Sequence, residues 1–273
     1  MSTVARTIDF LDLPSECFSR IFMSSPRDAC VSSTISSAFR SVADSDEVWD
    51  RFLPSDYEEM LSKCVSPVRF SSKKELYFRL CDSVLIDSGK KVFSLERWSG
   101  KKSYVVGARD LSIVWGNDRR YWKWKPHHGS RFSKVAKLQY VWWLDVHGKI
   151  DASLLSPRTN YVAYLIVSYI DQDMSWWGLD VGPAEVSVEV GNHVTSNGMA
   201  RLCPENVGRP FEEEVVVNVP RERGDGWMEI ELGEFYNSGG EEGEVVKMGM
   251  KQVDCSYSKE GLVIEGIEIR PKV

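Results

Sequence analysis

TNYVAYLIVSYI, residues 159–170, is apolar at odd and even positions alike. A strand covered on one face alternates apolar with polar side chains, so a run that is apolar throughout predicts a strand buried on both faces. Its apolar stretch is only about half of the ~20 residues that span a bilayer, which excludes a membrane helix. Working outward, AEVSVEV (184–190) alternates Val186, Val188 and Val190 against Glu185, Ser187 and Glu189. WMEIELGEF (227–235) sets Met228, Ile230 and Leu232 against Trp227, Glu229 and Glu231, and GLVIEGIEIRP (261–271) reads as a strand bulged at Gly266. From about Val84 onward, strand patterns separated by Gly, Pro and Asn clusters predict an antiparallel β-sandwich.

The chain before Val84 reads differently. Phe18, Ile21 and Phe22 follow Leu13-Pro14 and Ser15 at helical spacing. Pro26 suits a first helical position, and Val31, Ile35, Ala38, Phe39 and Val42 form a helical stripe. Serines at 33 and 36 predict a break within that stripe. SDYEEMLSKC and SSKKELYFRLCD open on capping residues and predict two further short helices. The shift to β-branched residues and glycine in SVLIDSGKKVFSLERWSGKK marks the boundary. The fold class is α+β and multidomain, with segments 8–53, 54–83 and 84–273.

Composition narrows the function. A net charge of −6 argues against nucleic acid as the main partner, because affinity there rests on neutralising phosphates. The N-terminal MSTVARTIDFLDLPSE has no apolar run of signal-peptide length, and the six cysteines are scattered without C-x-x-C spacing, which predicts reduced thiols in cytoplasm or nucleus. The four histidines offer no metal-ligand pattern, so no metal and no cofactor are expected. No G-x-S-x-G, H-E-x-x-H or phosphate-loop motif occurs, and a non-enzymatic role is expected.

One stretch stands apart: DLSIVWGNDRRYWKWKP, residues 110–126, interleaves Trp115, Tyr121, Trp122 and Trp124 with Arg119, Arg120, Lys123 and Lys125. On a strand, Trp122 and Trp124 share one face and Tyr121, Lys123 and Lys125 the other. The indoles are then either core anchors or one wall of a binding site. The interleaved basic residues also fit a single-strand stacking surface or, in an acidic protein, a solvated strand face.

Two resemblances follow from these residues. DLPSECFSRIF, SSPRDAC and FRSVADSDEVWDRFLPSDY resemble an F-box, through Leu13-Pro14, Ile21, Pro26-Arg27-Asp28, Phe39-Arg40 and Trp49 before Phe52. That implies a trihelical module docking a Skp-type adaptor of a cullin ubiquitin ligase through Leu13, Pro14, Ile21, Pro26, Val31 and Ile35. A segment this small cannot bury its own apolar stripe, and an exposed stripe is a partner surface. A helical cap on the chain's own β-domain is the alternative, and Ser32 and Thr34 stand where such boxes usually carry leucines.

ARDLSIVWGNDRRYWKWK, VWWLDVHGKI, TNYVAYLIV, GDGWMEIELGEFYNSGGEEGEV and GLVIEGIEIRPK resemble the phloem-protein-2 or Nictaba-type lectin domain of plants. This implies a jelly-roll-like β-sandwich that binds N-acetylglucosamine-containing glycans through Trp115 and Trp122, with Glu244 taking hydroxyls. Indole suits the task because a pyranose offers an apolar C–H face to a flat ring. Lys251 replaces a second expected acid. Together the resemblances imply the substrate-recognition subunit of an SCF-type ligase that binds glycoproteins; a receptor for a protein degron without sugar binding is the runner-up.

Overall fold

The computed structural model describes residues 23–169, 177–204, 217–239, 243–253 and 256–272. They form two compact units, one of helices and one of strands. The opening part of the expected trihelical module, with Leu13, Pro14 and Ile21, lies outside the described residues.

The helical unit comprises α1 (Pro26–Ser32), α2 (Ser37–Ala43), α3 (Asp46–Asp50), α4 (Tyr57–Ser62) and α5 (Lys73–Cys81), together with Leu95–Gly100. Serine caps start three of them: the hydroxyls of Ser25, Ser36 and Ser72 accept from the N–H groups of Asp28, Phe39 and Glu75. The predicted break falls between Ser33, which ends α1, and Ser36, which starts α2. Trp49 is the core of this unit, fully buried, with its indole N–H on the Ala43 carbonyl at 2.6 Å. The rings of Phe52, Tyr77 and Phe78 surround it at 5.6, 5.1 and 5.3 Å. Burial pushes the Cys81 thiol up to about 12, so it stays protonated beside this core.

The strand unit contains two sheets. The nine-stranded sheet runs in the order β1 (Val84–Ile86), β2 (Lys91–Leu95), β3 (Lys102–Gly107), β15 (Leu262–Pro271), β8 (Thr159–Tyr169), β13 (Met228–Asn237) and β12 (Arg221–Glu222). A hairpin of β5 (Trp122–Lys125) and β6 (Val135–Leu138) attaches to β15. The six-stranded sheet runs β11 (Val217–Asn218), β10 (His193–Ala200), β9 (Ala184–Val190), β14 (Val245–Gln252), β7 (Leu144–Asp151) and β4 (Ser112–Ile113). Every described pairing is antiparallel except β10 with β11.

The two sheets face each other. A Cβ on Gly148 of β7 would stand 3.0 Å from the Ile267 side chain of β15, so glycine there permits the close approach. β8 sits between β15 and β13, and its two faces explain its unbroken apolar run. Tyr161, Ala163, Leu165 and Val167 point toward the opposite sheet, on the side shared with Ile267. Val162, Tyr164 and Ile166 point the other way into a second cluster with Val135, Trp227 and Val263. The irregularity expected at Gly266 is a register shift between Ile264 and Gly266, with Glu265 the extra residue.

Candidate functional site

The turn between β4 and β5 carries the tryptophans. Val114 donates its N–H to the Asp145 carbonyl, Gly116 to Ile113, and Asp118 to the carbonyl of Trp115. Trp115 occupies the left-handed region at φ 56°, a conformation that costs a bulky residue about 1–3 kcal/mol. Two indoles hold it there. The Trp122 N–H donates to the carbonyl of Val114 at 3.1 Å, and the Trp124 N–H to that of Gly116 at 2.8 Å. The carbonyls on either side of residue 115 are thus stapled from beneath, and the Trp115 side chain is displayed outward, 45% exposed.

Trp122 therefore departs from the expected platform. Its ring is 1% exposed and belongs to the core. The physical reason is the alternation of β5: Trp122 and Trp124 turn inward together, and the outward face belongs to Tyr121, Lys123 and Lys125. Trp124 is half-buried under the Arg109 guanidinium, 3.8 Å above its ring.

What accompanies Trp115 is tyrosine. Its ring lies 5.2 Å from that of Tyr121, and Tyr121 lies 5.4 Å from Tyr140, which is 41% exposed. Gln139 brings Tyr140 alongside by donating its N–H to the Tyr121 carbonyl at 2.8 Å. The result is a ledge of three contiguous rings. The Arg120 guanidinium stands 5.3 Å from the Tyr121 centroid and grips Asp118 through two nitrogens, a pair that holds the Asp118 carboxyl below its usual range. Such a ledge can cover the C–H face of a flat, partly polar ring while its hydroxyl and guanidinium groups meet a polar rim. Reading the indoles as the whole platform missed Tyr121 and Tyr140; the side opposite Trp122 on β5 was the available signal.

Glu244 is not brought to this ledge. It is half-buried just before β14, with its carbonyl on the Ala152 N–H. β14 runs antiparallel to β7 with Val245 opposite Asp151, whereas the Trp115 turn is tied to Asp145. Six residues of strand separate those positions, roughly 20 Å. Lys251 is the nearer residue, opposite Asp145, and it pairs with Glu185 at 2.9 Å. In the helical unit Pro26 is buried as the first residue of α1, while Val31 and Ile35 are 60% and 62% exposed. Among the described residues no group of three His, Cys, Asp or Glu is placed to hold a metal ion, and no helix is long and apolar enough to cross a membrane.

A β-rich unit with an aromatic ledge, preceded by short capped helices, has counterparts among known proteins. Residues 101–271 match the family model described as phloem protein 2, and the chain belongs to the plant F-box/phloem protein 2 family. "F-box protein PP2-B15" of Arabidopsis thaliana is 44% identical over 95% of this chain and 96% of that protein. "F-box protein PP2-B10" is 44% identical over 96% and 94%, and "F-box protein VBF" 42% over 95% and 99%, both from the same plant. Among solved structures, the Podospora anserina GH26-CBM35 beta-(1,4)-mannanase superposes with a TM-score of 0.33 at 11% identity over 63% of this chain and 28% of that one, a likeness too slight to bear on function.

Proposed function

We propose that this chain is the substrate receptor of an SCF-type ubiquitin ligase. Residues 8–53 act as the F-box that docks a Skp-type adaptor, 54–83 as a helical linker, and 84–273 as a jelly-roll-like lectin domain for N-acetylglucosamine-containing glycans or glycoproteins. The names of its relatives support the F-box half, as do the solvent-facing Val31 and Ile35, apolar side chains placed where a partner can cover them. The observation that carries the lectin half is the ledge of Trp115, Tyr121 and Tyr140. The chain contributes docking surfaces, the cullin–RING partners transfer ubiquitin, and the complex works in cytoplasm or nucleus.

The test uses chitin oligomers on the intact chain. Trp115→Ala is expected to weaken binding strongly with a change in stability within about 0.5 kcal/mol, because the ring is exposed. Trp122→Ala should instead destabilise the fold by about 3–5 kcal/mol, the range for emptying a buried aromatic site. Unchanged binding in the Trp115 variant, seen by titration calorimetry, would remove the ledge from the reading. A second reading, recognition of a protein degron without sugar, draws on the burial of Trp122 and the remoteness of Glu244. It would leave the chain bound to the adaptor in a pull-down and silent on a glycan array.

A further inference from the structure

We propose that the outer face of the six-stranded sheet holds a second ligand site, a polar trough that takes a short neutral oligosaccharide laid across the strands. The registers place Asn197, Ser187, Gly249, His147 and Ser112 side by side on β10, β9, β14, β7 and β4. That row is the floor. Gly249 leaves room for the His147 ring, which folds over it and forms the floor there; any side chain at 249 would collide with that ring.

Rows two residues to either side form the walls. One carries Glu185 and Lys251, paired at 2.9 Å, and the other Glu189 and Lys247, 3.9 Å apart. Two adjoining hollows of about 570 and 540 Å³ lie over this floor and share His147, Ser187 and Glu189. Five strands span roughly 19 Å at the usual spacing, and the walls stand roughly 13 Å apart along the strands. The trough is longer than it is wide, which suits a chain of rings better than a single one.

The chemistry of the lining selects the occupant. Two of the three wall lysines, Lys247 and Lys251, face a glutamate on the neighbouring strand, and Lys149 opposite Lys247 is a single cation rather than a continuous track for a polyanion. The trough crosses the strands over backbone that is already paired in the ladders, so an extended peptide finds no sheet edge to join. What remains are an amide, hydroxyls, an imidazole, carboxylates and the Lys149 ammonium, a mixture of donors and acceptors that matches sugar hydroxyls, each able to donate and accept.

The site does not depend on the Trp115 ledge, and the experiment separates the two. The full chain bearing Trp115→Ala is titrated calorimetrically with cellotetraose, xylotetraose, mannotetraose and chitotetraose. At least one of the four is expected to bind. Adding Ser187→Tyr, which fills the floor with a residue that strands accept, should weaken that ligand about tenfold or more, the equivalent of one or two lost hydrogen bonds. Asn197→Ala should weaken it as well with the melting temperature unchanged, and it decides the matter if the tyrosine lowers stability. Absence of binding by all four tetramers in the Trp115→Ala chain overturns the trough and leaves the ledge standing if the unmutated chain binds. Affinity unmoved by Asn197→Ala and Ser187→Tyr overturns it too.

Discussion

On the outer face of the nine-stranded sheet, Arg270 grips Glu229 through two bonds of 2.7 and 2.8 Å while Arg223 reaches the same carboxylate at 2.8 Å and Glu268 at 2.6 Å. Beside them Glu265, fully buried in its bulge, accepts from the Arg131 guanidinium at 2.6 and 3.2 Å and from the Arg131 backbone at 2.8 Å. On the outer face of the six-stranded sheet, Lys247 and Glu189 stand 3.9 Å apart, and Lys251 meets Glu185 with both side chains about half exposed. Planar arginine forks locked onto shielded carboxylates are costly to rearrange. Single lysine contacts in water cost little to rearrange. One face is scaffold, closed over by the β5–β6 hairpin and Trp227; the other can exchange its contacts for those of a ligand.

The contrast can be broken most directly at Arg131. Arg131→Ala leaves the Glu265 carboxylate inside without its guanidinium, and destabilisation of about 3–5 kcal/mol is expected in urea denaturation. A loss under about 1 kcal/mol would mean that this face is no more fixed than the other.

Acid should sharpen the same distinction. Burial alone would raise the Glu229 carboxyl, but Arg270 and Arg223 outweigh it and hold the group below its ordinary value of 4.5. Because the folded value lies below the unfolded one, this stabilisation is complete above pH 4.5 and is lost as pH falls through the folded value. Asp225 follows the same sign: burial pushes it up, and the Trp227 N–H and Arg223 bring it below 3.8. Glu229→Gln should therefore flatten the fall in stability below pH 4.5, measured by denaturation at stepped pH. An unchanged acid limb would show that these pairs do not govern it. The smallest effect belongs to the open face, where Lys247→Ala should alter stability by no more than about 0.5 kcal/mol.

Much of the framework was legible in residue order. The two-sided apolar run of β8, the alternation of β9, the serine break between α1 and α2, and the bulge beside Gly266 each follow from local rules and appear in the structure. The site was legible only in part. Alternation divides Trp122 and Trp124 from Tyr121, but nothing local says which side meets the core; packing buried the larger pair and left the tyrosine outside. Tyr140 joins the ledge through a hydrogen bond between residues of different segments. Glu244 is seven residues from Lys251 in the chain, and only the antiparallel register with β7 puts it at the far end from Trp115.

By itself the sequence determined the helical or strand character of β8, β9, α1 and α2, the central position of β8 and the presence of an unusual aromatic turn, because side-chain periodicity and capping act over a few residues. The tertiary structure alone decided which indole is displayed, which acids are shielded, and which small residues from five strands line up into one trough. Those are consequences of register and of which face a neighbouring sheet covers, and both depend on contacts between segments far apart in the chain.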